Sequence, residues 1–298
     1  MNIRHLFVLL AAALATACAN KTQEPQYNGK IYPAEKTDNT LRILAIGNSF
    51  TENMTVHLPQ LIADAGADSV VFAYAAFAGA SLEYQYNHLV SQDATFLWDL
   101  SLGGQPFVQD TVRQSLPFCV DYADWDVIVI QQRSSLAGQW DSISPYLATV
   151  VRLLKTAHPR AKIAWQMTWA LASHFDKPEE FALYNGSREL MEQAIEETTE
   201  KIVATGLIDM VIPSGRAIAA ARRTDIDPTG KELSPDGRHL DEGAGCYIAA
   251  CCAYETLLAE WVGEDLMDLP ADSSDHGVVK VTTENCPTLR KFAKDAKW

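Results

Sequence analysis

The residue pattern predicts an α/β fold: a parallel sheet with helices on both faces, a three-layer α/β/α sandwich. Val127-Ile128-Val129-Ile130 is continuously apolar and β-branched, as a parallel strand buried on both faces has to be. Similar apolar runs stand at 42–46, 70–74, 162–169 and 207–212, each followed by residues at helical spacing. Strands alternating with helices build βαβ units, whose crossovers lay helices over both faces of one sheet.

Taken in order, the chain opens with Arg4, an apolar core from Leu6 to Leu14, and then Ala15-Thr16-Ala17-Cys18. Positive charge, a run too short to span a bilayer and small residues before a cysteine describe an export signal. Residues 1–18 resemble a bacterial lipoprotein signal. That likeness implies lipidation at Cys18 and a periplasmic, outer-membrane or cell-surface address. Cleavage after Ala17 without lipidation is the alternative. Residues 19–40 are polar and aperiodic and read as a flexible tether. A domain follows over 41–262, with a C-terminal extension at 263–298.

Within the domain, strand 42–46 is broken by Gly47-Asn48-Ser49, after which Met54, His57, Leu58, Leu61 and Ile62 carry a helix to about Gly66. The second strand ends at Ala78-Gly79-Ala80-Ser81, with a helix over 82–90. Segments 95–100 and 107–112, separated by Gly103-Gly104, predict an inserted hairpin, and 112–122 a helix. The third strand is 125–131. A helix over 144–157 has Pro145 in its first turn, where proline is tolerated. Strand four is 162–169. The Glu-rich helix over 187–205 presents a solvated face. Strand five, 207–212, ends at Pro213-Ser214-Gly215 and leads into a helix. Loop 224–239 is dense in Asp, Pro and Gly, and 241–261 is the last large helix.

The chain has 298 residues, 48% hydrophobic and 21% charged, enough for one domain with an ample core. Its net charge of −14 leaves no basic patch. Nucleic acid and anionic membrane surfaces are therefore excluded as partners, and membrane contact is expected only through the N-terminal anchor. Beyond Cys18, Cys119, Cys246, Cys251, Cys252 and Cys286 are odd in number and do not suggest a disulfide framework; Cys246, Cys251 and Cys252 fall in a helix rich in Ala, Ile and Leu and read as small buried residues. No metal-ligand or phosphate-loop spacing occurs, so no cofactor or metal is expected.

Two places concentrate chemistry. Ser49 stands at a strand–turn–helix junction, where an open α/β sheet has its ligand crevice and a helix start favours negative charge. Taken alone, Asn48, Ser49 or Thr51 could be no more than a helix cap. Asp236 and His239 lie three apart in a turn, so the carboxylate can hold one imidazole nitrogen while the other takes a proton from a hydroxyl. Together the three supply nucleophile, base and orienting acid.

On these residues the sequence resembles the SGNH/GDSL hydrolases. Gly47-Asn48-Ser49-Phe50-Thr51 is similar to their first block, with Asn48 in place of the usual Asp. Asp236-Gly237-Arg238-His239-Leu240 is similar to their last, and the likeness runs from about Leu41 to Trp261. It is nearest a branch with a GNSFT start, a WD-strand-QQ middle and a DGxHL end. The resemblance implies five parallel strands in the order 2-1-3-4-5, a flavodoxin-like sheet, and ester hydrolysis. It makes Ser49 the nucleophile, His239 the general base and Asp236 its orienting partner. It places the backbone N–H groups of Ser49 and Gly79 in the oxyanion hole, although Gly79 also reads simply as a turn residue.

The third block departs from the family. Gln131-Gln132-Arg133-Ser134 stands where an Asn side chain usually completes the hole. Either glutamine is an adequate donor, and strand alternation lets only one point into the crevice; the other reading makes both polar strand-end residues. Asn48, Trp169 and Arg133 are further candidates for shaping the pocket. Trp169 would stack on a sugar unless it is core, and Arg133 and Arg238 would meet a substrate carboxylate. The expectation is an exported serine esterase acting on a small-molecule or glycan ester, foremost O-acetyl groups on carbohydrate. A lipid-directed esterase and a non-catalytic glycan binder on the same scaffold are the rivals.

Overall fold

The computed structural model describes residues 25–33, 35, 36 and 38–298, so the expected export signal and Cys18 lie outside the described residues. β1 (Leu41–Gly47) is apolar almost throughout, yet its side chains divide by parity. Ile43 and Ala45 enter one core, Leu44 and Ile46 the other, as a strand covered on both sides requires. α1 (Ser49–Thr55) and α2 (Leu58–Asp64) follow. The single helix expected here is two, because Pro59 in the first turn of α2 has no N–H to donate to the preceding turn.

β2 (Val70–Ala76) pairs parallel with β1 and leads into α3 (Leu82–His88). The predicted hairpin is β3 (Leu97–Leu102) and β4 (Val108–Gln109). α4 (Leu116–Asp121) is shorter than the expected 112–122, because the Ser115 hydroxyl accepts from the Phe118 N–H and caps it. The chain continues through β5 (Val127–Ile130), α5 (Ser144–Ala157), β6 (Lys162–Gln166), α6 (Pro178–Phe181), α7 (Arg188–Ala204), β7 (Met210–Ile212) and α8 (Ser214–Ala221). It closes with α9 (Ala244–Leu257), α10 (Ala259–Val262) and α11 (Cys286–Asp295).

The fold is mixed α/β around one seven-stranded sheet of order β4-β3-β2-β1-β5-β6-β7. The sheet is larger than the five strands expected, because two antiparallel strands extend it. The hairpin is not a separate insertion: β3 pairs antiparallel along the whole of β2, from Val71↔Leu102 to Ala76↔Leu97, and β4 follows it. Left bare, β2 would expose a row of unpaired backbone groups, which the hairpin occupies. The strands that do run parallel stand as β2-β1-β5-β6-β7.

Residues of α1, α2, α8, α9 and α11 fill the core on one face, and those of α3, α4, α5 and α7 the core on the other. The segment after Val262 shares the first core through Leu266, Leu269, Val281, Leu289 and Ala293. Part of the expected tether is also docked: the Tyr27 hydroxyl donates to Asp121 Oδ1 (2.5 Å) and the Tyr32 hydroxyl to the Asp121 carbonyl (2.6 Å). Cys119, Cys246, Cys251, Cys252 and Cys286 are buried and free. No helix among the described residues is long and apolar enough to cross a membrane.

Candidate active site

Parallel strands bring their exits to one edge of the sheet, and the exit of β1 is where Ser49 begins α1. The Asn48 side chain makes that transition. Its Oδ1 accepts from the Phe50 N–H (2.9 Å) and its Nδ2 donates to the Ala80 carbonyl (2.9 Å). Asn48 is 2% exposed, so it builds the turn and does not line a pocket. A Cβ at Gly47 would lie 2.1 Å from Gln131 Nε2 and 2.4 Å from Thr51 Oγ1, so a larger residue would have to displace that hydrogen-bonded pair.

His239 arrives from the other end of the chain on a turn closed by the Gly237 N–H donating to the Ser234 carbonyl (2.8 Å). Gly237 has φ +79°, and a Cβ would meet Phe175 Cα at 2.8 Å; both facts demand glycine. Asp236 Oδ1 accepts from the N–H groups of Arg238 (2.8 Å) and His239 (2.7 Å). Its Oδ2 lies 2.6 Å from His239 Nδ1, and His239 Nε2 lies 2.8 Å from Ser49 Oγ. An ionised carboxylate only accepts, so Nδ1 carries the imidazole proton and Nε2 is left to accept from the Ser49 hydroxyl. Burial raises the Asp236 pKa, but the hydrogen bonds from the His239 ring and the two backbone amides outweigh it and hold the carboxyl below its usual range.

Gly79 lies on the adjoining turn with φ +70°. A Cβ there would meet nothing, so the backbone angle alone selects glycine. The turn hangs on β1 through the Phe77 N–H donating to the Gly47 carbonyl (3.1 Å). The Ser49 amide, first in α1, has no carbonyl one turn back within the helix to occupy it.

Neither glutamine is free to complete an oxyanion hole. Gln131 is fully buried and its Nε2 donates to Thr51 Oγ1 (2.7 Å). Gln132, 1% exposed, accepts at Oε1 from the N–H groups of Leu82 (2.9 Å) and Arg133 (2.8 Å) and donates from Nε2 to Ser142. The Gln132 amide is spent on internal partners, and Gln131 is sealed in the core with its Nε2 turned to Thr51. Trp169 is likewise core: fully buried, stacked on Phe50 at 4.1 Å, with its Nε1–H donating to the Arg238 carbonyl (2.9 Å). It steadies the histidine turn from behind. Arg133 and Arg238 both meet Glu180, at 3.4 and 2.6 Å. Burial raises the Glu180 pKa, and the two arginines with Ser135 reverse this to a net lowering. Glu180 comes from the single turn of α6, to which the sequence pattern assigns no element, and the Phe50 ring, 6.1 Å from the His239 ring, was equally invisible as a site residue. Among the described residues, no three His, Cys, Asp or Glu side chains gather where they could hold a metal ion.

A family model described as "Domain of unknown function (DUF4886)" matches residues 42–276. The crystal structure of a DUF4886 family protein from Bacteroides uniformis ATCC 8492, at 1.50 Å resolution, is similar with a TM-score of 0.76 at 23% identity. The match covers 86% of this chain and 94% of that one, and at that identity it speaks for the fold alone. No curated protein matches the sequence.

Proposed function

The chain belongs to the DUF4886 family, and from that premise we propose that it is an exported serine esterase of SGNH type, working through an acyl-enzyme on Ser49. The observation that carries this reading is the unbroken relay of Ser49 Oγ, His239 Nε2, His239 Nδ1 and Asp236 Oδ2, with contacts of 2.8 and 2.6 Å. A surface serine and a surface histidine have no structural need for one another at that distance. The order β2-β1-β5-β6-β7 of the parallel strands supports reading the sheet as the SGNH, flavodoxin-like sandwich with a hairpin appended.

In the proposed reaction Ser49 Oγ attacks the ester carbonyl carbon while its proton passes to His239 Nε2. The carbonyl oxygen takes up negative charge beside the Ser49 and Gly79 amides. Collapse breaks the C–O bond, and the alcohol leaves with the proton held by His239. Water, deprotonated by the same nitrogen, then cleaves the acyl–Ser49 ester and returns the proton to Oγ. Asp236 stabilises the imidazolium formed at each stage.

The leading substrate class is O-acetylated carbohydrate. The His239 and Asp236 side chains are 40% and 55% exposed, so the relay is open at the surface and admits a small acyl group carried on a bulky polymer. The flanking side chains Arg133, Arg238 and Glu180 are charged, which suits a polar alcohol better than a lipid. The engagement of the Gln132 amide and the burial of Gln131 favour one alternative, a glycan-binding protein that has lost catalysis. Hydrolysis of p-nitrophenyl acetate and butyrate separates the two readings. The mature protein is expected to turn over the acetate faster, and Ser49→Ala and His239→Ala to abolish turnover of both esters. Equal rates in parent and variants, together with binding of acetylated glycan, would favour the binder.

A further inference from the structure

Resting on the esterase reading, we propose that Gln132 is a positioning residue. It fixes the turn bearing Gly79 by accepting hydrogen bonds, and does not itself donate to the oxyanion. A primary amide offers two donors and two acceptor lone pairs. Gln132 uses all four: Oε1 on the amides of Leu82 and Arg133, Nε2 on the carbonyl and the hydroxyl of Ser142, both at 3.1 Å. With 1% exposure and no capacity left, it has nothing to offer a substrate oxygen.

What it holds is informative. The Leu82 N–H opens α3 and would have no partner within the helix. Between β2 and that N–H lies the turn 77–81, pinned at three places. The Phe77 N–H reaches the Gly47 carbonyl (3.1 Å), Asn48 Nδ2 reaches the Ala80 carbonyl (2.9 Å), and the Leu82 N–H reaches Gln132 (2.9 Å). Gln85 Nε2 adds a bond to the Gln131 carbonyl (2.8 Å) from the next turn of α3. The first two pins come from the exit of β1, which also launches Ser49; the third comes from the exit of β5. The Gly79 amide is thus referenced to the nucleophile through paired strands. A backbone donor on a tight turn replaces a side-chain donor only if the turn cannot drift, because errors near 1 Å cost about 10²-fold in rate.

The test uses the mature protein with Gln132→Met, which keeps the volume and removes every bond, and Gln132→Glu, which keeps the acceptor oxygen. Buried here, the new carboxyl retains its proton, and its hydroxyl donates to Ser142 as the amide did. Gln132→Met is expected to lower kcat on the acetate ester about 10- to 100-fold with KM within about threefold. Amide hydrogen exchange over 77–85 should quicken by at least about tenfold, and Gln132→Glu should restore both to near parent. If Gln132→Met does not fold, Gln132→Asn, one methylene too short to reach Leu82, takes its place with the same expectation. A fall in kcat with exchange over 77–85 at the parent rate would overturn the proposal in favour of direct donation. No change in either readout would overturn it outright. Should the parent show no Ser49-dependent turnover, the esterase reading fails, while the exchange rates still decide whether Gln132 holds the turn.

Discussion

Each oxygen of Asp236 has a separate task. Oδ1 gathers the amides of Arg238 and His239 and shapes the turn, while Oδ2 holds His239 Nδ1. Asp236→Asn is therefore expected to separate stability from catalysis. The Asn carbonyl can still accept the two amides, so the melting temperature should move little. The new NH₂ then faces Nδ1, which has to become the acceptor. The ring proton moves to Nε2, which no longer accepts from Ser49. Turnover should fall by about 10³–10⁴, read as kcat on the acetate ester beside a thermal melt. A comparable loss of fold would show the turn depends on the full carboxylate. This residue scale is also where the sequence was most legible. Asp236 and His239 are three apart, and Ser49 sits on a junction that pattern alone reveals. Gln131, Gln132 and Trp169 were not legible, because a residue at a strand exit faces crevice or core according to one step of phase, and nothing local sets that phase.

The connection from β6 to α7 works as a brace for the histidine turn. Trp169 binds the Arg238 carbonyl, the Ala172 N–H donates to the Gly237 carbonyl (2.8 Å), and the Arg238 guanidinium lies over the Phe175 ring at 4.9 Å. Glu180 at the start of α6 closes it by taking Arg238 and Arg133 together. The side chains of Glu180 and Arg238 are only 15% and 18% exposed, so removing the acid leaves a cation short of its partner. Glu180→Ala is expected to cost about 1–3 kcal/mol of stability. It should also lower kcat about tenfold by loosening His239, with the Ser49 side of the site unchanged. Denaturant titration and kcat measure the two effects; an unaltered kcat would confine Glu180 to stability. Elements of this kind escape sequence reading. The brace pairs residues far apart in the sequence, as Glu180 of α6 does with Arg238 of the histidine turn. In the same way β3 shows strand character in its sequence, yet nothing there says that it will join the edge of β2.

On the scale of the whole molecule, two buried histidines tie outlying segments to opposite faces of the sheet. His57, 5% exposed, packs edge-on against Tyr247 of α9, with Nε2 2.7 Å from the Glu242 carbonyl. His158, 1% exposed, stacks on Tyr32 of the N-terminal segment at 4.7 Å, with Nε2 2.9 Å from the Val120 carbonyl. Burial lowers both pKa values and prevails over the nearby carbonyls and aspartates that push upward. In His158 the cause is visible at one atom: Nδ1 is buried with no partner, so a second ring proton would have nowhere to go. Both rings are neutral in the folded chain and free to charge in the unfolded one. Their contribution is thus fully present above the unfolded pKa of about 6.5 and is lost as pH falls toward the lowered folded values. Carboxylates with lowered pKa, such as Asp236 and Glu180, lose theirs only as pH drops below about 4. Between pH 7 and 5 the histidines pull stability down, while Glu52, Asp64 and Asp99, whose pKa values burial raises, push it up as they protonate, so substitution of the histidines is what separates their share. The melting temperature of the parent should fall more steeply across that interval than that of the double variant His57→Gln with His158→Gln, which keeps a donor near each Nε2 and cannot charge. An equal slope in the double variant would move the acid sensitivity to other groups. If His158 acts as argued, limited proteolysis at pH 5 should cut the segment around Tyr32 faster in the parent than in His158→Gln.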